Sequence, residues 1–171
     1  MLLDLIDLSK LRRAIVYALV LAVVFILQDL LIARIPLFGV RAMMIPAAVV
    51  AIGLFEGGLW GGFIGLAAGY LMDLGYTEQT VLFMILFTGI GFFAGVLGKY
   101  LLHKGFVSYL VLTAAAMLLI SGAQMFRYLF FTDTNAWAVW RTGLLQFLWS
   151  IPWAIPVYFP CKAIAARPMG S

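Results

Sequence analysis

The sequence has few charged residues, one cysteine and one histidine. Only 11% of its 171 residues are charged, while 65% are hydrophobic. A soluble domain carries roughly 25% charged residues, so most of the surface of this chain is too apolar to face water. The single cysteine, Cys161, excludes an internal disulfide and any multi-cysteine metal site, and we interpret it as a small buried or interfacial hydrophobe. The lone histidine, His103, has no cysteine, carboxylate or second histidine near it in the sequence.

Sequence signatures of catalysis and of ion transport are also lacking. There is no P-loop, no His-Glu-x-x-His and no Gly-x-Ser-x-Gly pattern. Channels and pumps normally carry ionisable residues in mid-span, whereas the charges here cluster at the ends of apolar runs. The net charge of +4 is spread over several short loops, which is not typical of nucleic-acid binding. We therefore expect a protein that is not an enzyme and has no catalytic residue, cofactor, metal site or nucleic-acid partner.

Long apolar runs are what the chain has in abundance. A hydrocarbon core of roughly 30 Å requires about 20 apolar residues per helix. Six candidate spans cover residues 14–33, 42–55, 57–74, 80–97, 106–131 and 142–163. We predict an all-α, six-transmembrane-helix bundle that forms a single integral membrane domain over residues 1–171. Residues 1–12 are expected to form a short interfacial segment, and residues 167–171 resemble a remnant of a cloning vector, so nothing is inferred from them.

The distribution of basic residues predicts how the bundle is oriented. With six spans both termini lie on one side of the membrane, and that side holds seven of the eleven cations: Lys10, Arg12, Arg13, Lys99, Lys104, Lys162 and Arg167. The other side holds Arg34, Arg41, Arg127 and Arg141. The positive-inside rule therefore places both termini in the cytoplasm, in a bacterial cytoplasmic (inner) membrane. Several aromatic residues fall where an interfacial aromatic belt is expected, namely Trp137, Trp140, Trp149 and Tyr158.

A row of glycines marks the third span. Its members recur at every fourth position and are Gly57, Gly61, Gly65 and Gly69. Steps of four place them on one face of a helix, and Asp73 continues the same register. Glycine faces let neighbouring backbones approach closely in a bilayer, where no hydrophobic force drives helices together. Gly91 and Gly95 offer a second such face in the fourth span. We favour internal packing of the bundle, and an interface with a helix of another protein is the alternative.

A few polar residues lie within or beside the spans. A carboxylate at mid-helix in lipid costs roughly 2.5–3.5 kcal/mol on insertion scales. Asp73 is therefore expected to lie near the interface, to cap a neighbouring helix or to pair with a cation, and we hypothesise a pair with Arg34, Arg41 or Arg127. Gln124 and Arg127 lie one turn apart and are interpreted as an interfacial snorkelling group, with a ligand-facing cluster as the alternative.

Three prolines recur at steps of four in the sixth span: Pro152, Pro156 and Pro160. Each proline removes a backbone hydrogen bond, which is tolerated in a membrane only where partners or water satisfy the freed carbonyl groups. We expect a kinked helix, and a broken helix that lines a cavity is the alternative.

The stretch from Pro46 to Asp73 resembles the rod-shape-determining MreD family. In that family a Pro-led apolar span precedes a glycine-rich span of the type Gly-Phe-x-x-Gly-x-x-x-Asp. The corresponding residues here are Gly62, Phe63, Gly65, Gly69 and Asp73. The total length, six spans and cytoplasmic termini of the family also match what is predicted for this chain.

The resemblance implies a non-enzymatic scaffold of the bacterial cell-elongation complex. Such a scaffold binds the transmembrane helix of MreC and links the MreB filament to the peptidoglycan synthases RodA and a class B penicillin-binding protein, which maintains rod shape. Beyond these partners and the lipid bilayer, a homodimer is left open. The implied fold resembles that of the substrate-binding S subunit of energy-coupling-factor transporters.

That S subunit, a vitamin carrier, is also the alternative function. A carrier should place several convergent polar groups in an outward cavity, and this sequence offers few beyond Asp73, Gln124 and Arg127. A coupling subunit would dock on small residues of the first span, where Ala14, Ala18 and Ala22 are the nearest candidates. The fold alone does not decide between the two functions.

Overall fold

The computed structural model describes residues 8–30, 40, 42–75, 81–100, 105–131 and 135–166. Helices account for 93% of these residues, and the described part of the chain contains no strand. The helices are α1 (Leu8–Leu30), α2 (Ile45–Glu56), α3 (Gly58–Gly75), α4 (Leu82–Tyr100), α5 (Phe106–Phe131) and α6 (Ala136–Ala165). The prediction of an all-α protein is confirmed for the described residues.

Three of these helices, α4, α5 and α6, are long and apolar enough to cross a membrane. The apolar part of α1, Ile15–Leu30, is shorter, and so is α2. With 12 residues, α2 is about 18 Å long, which is less than the roughly 30 Å of a bilayer hydrocarbon core. The count of six spans therefore stays a prediction.

Two helices begin earlier than hydropathy predicts. The first starts at Leu8, inside the segment that we expected to be an interfacial lead-in, and α6 starts at Ala136, before the predicted residue 142. The start of α6 is set by capping, because the Oδ1 atom of Asn135 accepts a hydrogen bond from the backbone N–H of Trp137 at 3.1 Å. Side chains that cap a helix lie outside its apolar run, so a hydropathy boundary falls short of the capped end.

The short helix α2 forms the centre of the bundle. Every residue from Ile45 to Leu54 is buried, and α2 contacts all five other helices. Its sequence is apolar on all sides, which is typical of a helix that is surrounded by protein or lipid. The remaining helices enclose α2 and carry the exposed apolar side chains, such as Ile15, Phe63 and Val107.

The last helix runs unbroken through its three prolines. Pro152, Pro156 and Pro160 are all exposed, so they lie on the outer face of α6. On the inner face, the carbonyl oxygen of Ala154 accepts a hydrogen bond from the hydroxyl group of Tyr109 at 2.7 Å. The helix therefore does not break to line a cavity, and its proline face is directed away from the bundle.

One of the predicted belt aromatics is a core residue instead. Tyr158 is 3% exposed, and its ring packs against those of Tyr109 and Phe106 with centroids 5.1 Å apart in each pair. Trp137 and Trp140 are exposed, as an interfacial belt requires, whereas Trp149 is half-buried. The prediction for Tyr158 was wrong because residue type and sequence position do not reveal which side of α6 faces α5.

Candidate functional site

The glycine row of α3 lies against the backbone of α4. A Cβ atom at Gly65 would overlap the carbonyl oxygen of Phe87, and one at Gly69 would overlap the backbone of Phe83 and Met84. Both glycines are buried. Because the nearest atoms belong to the backbone of α4, no side-chain rotation could make room for a larger residue. The two antiparallel helices are thus in direct main-chain contact along this face.

Three helices meet at one point further along the row. A Cβ atom at Gly61 would overlap the carbonyl oxygen of Gly91 in α4, and it would lie 2.6 Å from the Cα atom of Gly53 in α2. A Cβ atom at Gly91 would in turn overlap Gly61 and come within 3.1 Å of a methyl group of Val49. Each of the three helices thus contributes a glycine to this crossing, and any side chain there would push two backbones apart.

The junction between α2 and α3 is the single residue Gly57. Its φ of 99° lies in the region that L side chains rarely adopt, and this sharp change of direction folds α3 back on α2. The N–H group of Gly57 donates to the carbonyl oxygen of Gly53 at 2.8 Å and ends α2. On the other side, a Cβ atom at Gly95 of α4 would overlap the backbone of Gly57 and Gly58. Gly57 and Gly95 therefore belong to the same packed surface as Gly61 and Gly91.

Asp73 caps the N-terminus of α4. Its Oδ1 atom accepts a hydrogen bond from the N–H of Phe83 at 3.3 Å, and its Oδ2 atom accepts one from the N–H of Met84 at 3.0 Å. The first turn of a helix leaves its N–H groups without intrahelical partners, and its dipole favours a negative charge there. Among the roles expected for this carboxylate, the structure shows the cap on a neighbouring helix.

The predicted ion pair of Asp73 has a separate outcome. Arg34 and Arg41 lie outside the described residues, so the proposed pairs with them stay predictions.

Gln124 and Arg127 are both half-buried near the end of α5, one turn apart. Their interpretation as a snorkelling group, with a ligand-facing cluster as the alternative, stays a prediction.

A second capping site was not predicted from the sequence. It lies at the start of α2, where the Oε1 atom of Gln28 accepts hydrogen bonds from the N–H groups of Met44 at 2.7 Å and Ile45 at 3.2 Å. The N–H of the preceding residue, Met43, donates to the hydroxyl oxygen of Ser150 at 2.9 Å. Gln28 belongs to α1 and Ser150 to α6, so two neighbouring helices satisfy the amides of a helix start that has no side-chain cap of its own.

A cavity of about 370 Å³ opens between α4 and α5. Its lining is almost wholly apolar and includes Ile85, Gly89 and Leu97 of α4 and Ala115 and Leu119 of α5. Polar groups that could orient a metabolite are not part of this lining. Within the described residues, no three His, Cys, Asp or Glu side chains lie close enough together to hold a metal ion.

The fold and these contacts define the chain as an α-helical protein in which three helices are long and apolar enough to cross a membrane, and in which several polar side chains hydrogen-bond from one helix to another. No protein-family model, no curated protein and no solved structure matches it.

Proposed function

We propose that this protein is a non-enzymatic membrane scaffold of the MreD type, which holds the transmembrane helix of an MreC-like partner in the bacterial cell-elongation complex. Through that complex it would link MreB to the peptidoglycan synthases RodA and a class B penicillin-binding protein. The resemblance over Pro46–Asp73 supplies the family, and the internal use of polar side chains supports the scaffold role.

That internal use is the observation that carries the proposal. Asp73, Gln28 and Ser150 all accept hydrogen bonds from backbone amides at helix starts. A carrier or a membrane enzyme would instead direct such groups towards a shared cavity. Side chains that fix helix ends produce a rigid bundle, which is what a platform for other helices requires.

The outer face of α1 is the surface that best suits a partner helix. The glycine row of α3 is already in contact with α4, so a partner would use another face. Within the chain, α1 packs mainly on α2 and α6. Ala18 and Ala22 are exposed on its outer face, and larger apolar residues such as Ile15, Leu19 and Ile26 surround them. Small residues flanked by larger ones allow two helices to approach closely in a bilayer.

The proposal is tested by purifying the tagged full-length chain in mild detergent from the bacterium that encodes it. Mass spectrometry should identify a bitopic MreC-like protein and cell-wall synthases, and depletion of the chain should turn rod-shaped cells round. The double variant Ala18→Leu/Ala22→Leu should lose the bitopic partner. The matched control Ala67→Leu changes an exposed alanine on α3 and should retain it.

The vitamin carrier remains the second candidate, because the same exposed alanines of α1 could dock a coupling subunit. Co-purification of ATPases with a bound vitamin, and rod-shaped cells after depletion, would replace the scaffold proposal with the carrier. The apolar lining of the cavity between α4 and α5 argues against a polar vitamin at that position.

A further inference from the structure

The cavity between α4 and α5 is a groove bounded by two membrane-spanning helices. Its base is formed by Val50 of the central helix α2 and by Ala94 of α4. Gly89 lies in its wall, and a Cβ atom at this glycine would have no neighbour within 4 Å. The groove is thus open space beside the glycine, in contrast to the closed contacts of Gly61 and Gly65.

The α4 wall of the groove has about the length of one leaflet. It extends from Ile85 to Leu97, which corresponds to about 18 Å along a helix. Half of a hydrocarbon core of roughly 30 Å is about 15 Å. A single acyl chain could therefore lie along the groove from its headgroup end to the bilayer centre.

A positive charge lies at one end of the groove. Tyr100 lies on the same face of α4 as Phe93 and Leu97 of the groove wall, and its side chain is 71% exposed. The Nζ atom of Lys99 lies 5.1 Å from the centroid of the Tyr100 ring. Lys99 is thus two residues beyond Leu97, within one helical turn of that end of the groove. Basic groups beside grooves between transmembrane helices recognise anionic headgroups.

From the apolar lining, the length and the position of this charge, we propose that the groove binds one anionic phospholipid. One acyl chain lies between α4 and α5, and the phosphate contacts Lys99 beside Tyr100. This lipid site does not depend on the identity of any protein partner, so it can fail or succeed separately from the scaffold function.

The test uses the purified full-length chain in vesicles that contain phosphatidylglycerol with a photoreactive group on one acyl chain. Cross-linked peptides should come from α4 and α5, and zwitterionic phosphatidylcholine with the same group should react less. Gly89→Leu places a side chain in the groove, and its Cβ atom would meet no atom within 4 Å, so it should abolish these cross-links. Gly122→Leu is the matched control, because Gly122 is an exposed glycine of α5 that also has no neighbour within 4 Å. Ala115→Leu fills the groove from the α5 side and serves as a second variant.

The charge is tested separately. Lys99→Gln should reduce the preference for phosphatidylglycerol over phosphatidylcholine about fivefold, since one lysine near the surface contributes about that much. Lys162→Gln is its control, because Lys162 also lies over a tyrosine ring but stands at the end of α6, away from the groove. Equal labelling by both lipids, or unchanged labelling of Gly89→Leu and Ala115→Leu, would overturn the assignment. A photoreactive residue at Ile85 that captures a protein helix in cells, instead of lipid, would overturn it as well.

Discussion

At the scale of single residues, a small number of polar side chains decide how the helix starts of this protein are satisfied. Backbone N–H groups at a helix start have no partner within the helix, and lipid offers none. The chain meets this requirement from neighbouring helices, with Asp73 of α3 at the start of α4 and Gln28 of α1 at the start of α2. These side chains are therefore expected to matter more for stability than for recognition.

Replacement of Asp73 by Ala should destabilise the protein. The variant loses the acceptors of the Phe83 and Met84 amides, and the loss of a helix cap costs about 0.5–2 kcal/mol. The free energy of unfolding can be measured by titration with a denaturing detergent in mixed micelles. Asp29→Ala is the control, because Asp29 is an exposed carboxylate of α1. Equal stability of the two variants would contradict the capping role.

Replacement of Gln28 by Met should also lower the free energy of unfolding. Methionine has a similar shape but offers no strong acceptor, so the amides of Met44 and Ile45 would lose their hydrogen bonds at a cost of about 1–3 kcal/mol. The same detergent titration provides the measurement. Gln28→Glu keeps an acceptor oxygen and should retain more of the stability than Gln28→Met. A Gln28→Met protein as stable as the parent chain would disprove this role.

These two caps differ in how far the sequence predicts them. Asp73 stands out because it ends a regular glycine row, and a carboxylate there requires a partner. Gln28 carries no such signal, since its acceptor function depends on residues 16 and 17 positions away, and Ser150 contacts a backbone amide 107 positions away. Only the packing of α1 and α6 around α2 brings these groups together, and no local spacing encodes that packing.

At the scale of whole elements, the helices α3 and α4 are in direct main-chain contact, whereas α6 carries its three prolines on its outer face. A step of four predicts which residues share a face, as in the glycine row, but it does not identify the opposing helix. The prolines of α6 show the same restriction, because their spacing predicts a common face and not its exposure. The helix that packs against the glycine row and the exposure of the proline face are both set by the tertiary arrangement of several helices.

Replacement of Gly65 by Ala should separate α3 from α4. The added methyl group would overlap the carbonyl oxygen of Phe87, and overpacking of this kind costs about 1–3 kcal/mol. The control is Gly62→Ala on the same helix, where the new Cβ atom would lie 3.6 Å from the Cβ atom of Phe92, an ordinary contact. Since alanine favours helices over glycine by about 1 kcal/mol, Gly62→Ala should be neutral or stabilising.

Detergent titrations of the two alanine variants distinguish the effect of steric overlap at Gly65 from the general effect of replacing a helical glycine by alanine. If Gly65→Ala were as stable as Gly62→Ala, the backbone contact between α3 and α4 would not be required for folding. A lower stability of Gly65→Ala alone would assign the effect to the overlap with Phe87.

At the scale of the whole molecule, the distribution of basic residues along the sequence predicts an orientation in the membrane. Lys99 lies in the last turn of α4 and Ala136 begins α6, and the single helix α5 separates these two positions. Because α5 is long and apolar enough to cross a membrane, these two positions should lie on opposite sides of it. The excess of lysine and arginine on the side of Lys99 predicts that this side is cytoplasmic.

Cysteine labelling in intact cells tests this orientation directly. Cys161 is the only cysteine and is buried, so a Cys161→Ala background permits single cysteines to be introduced. A membrane-impermeant maleimide should label Ala136→Cys in intact cells, since this position is exposed and predicted to be extracytoplasmic. Lys99→Cys should react only after the cells are permeabilised. Labelling of Lys99→Cys in intact cells would show that the orientation is the reverse of the predicted one. The partner helices of the proposed scaffold would then have to run antiparallel to the direction expected here.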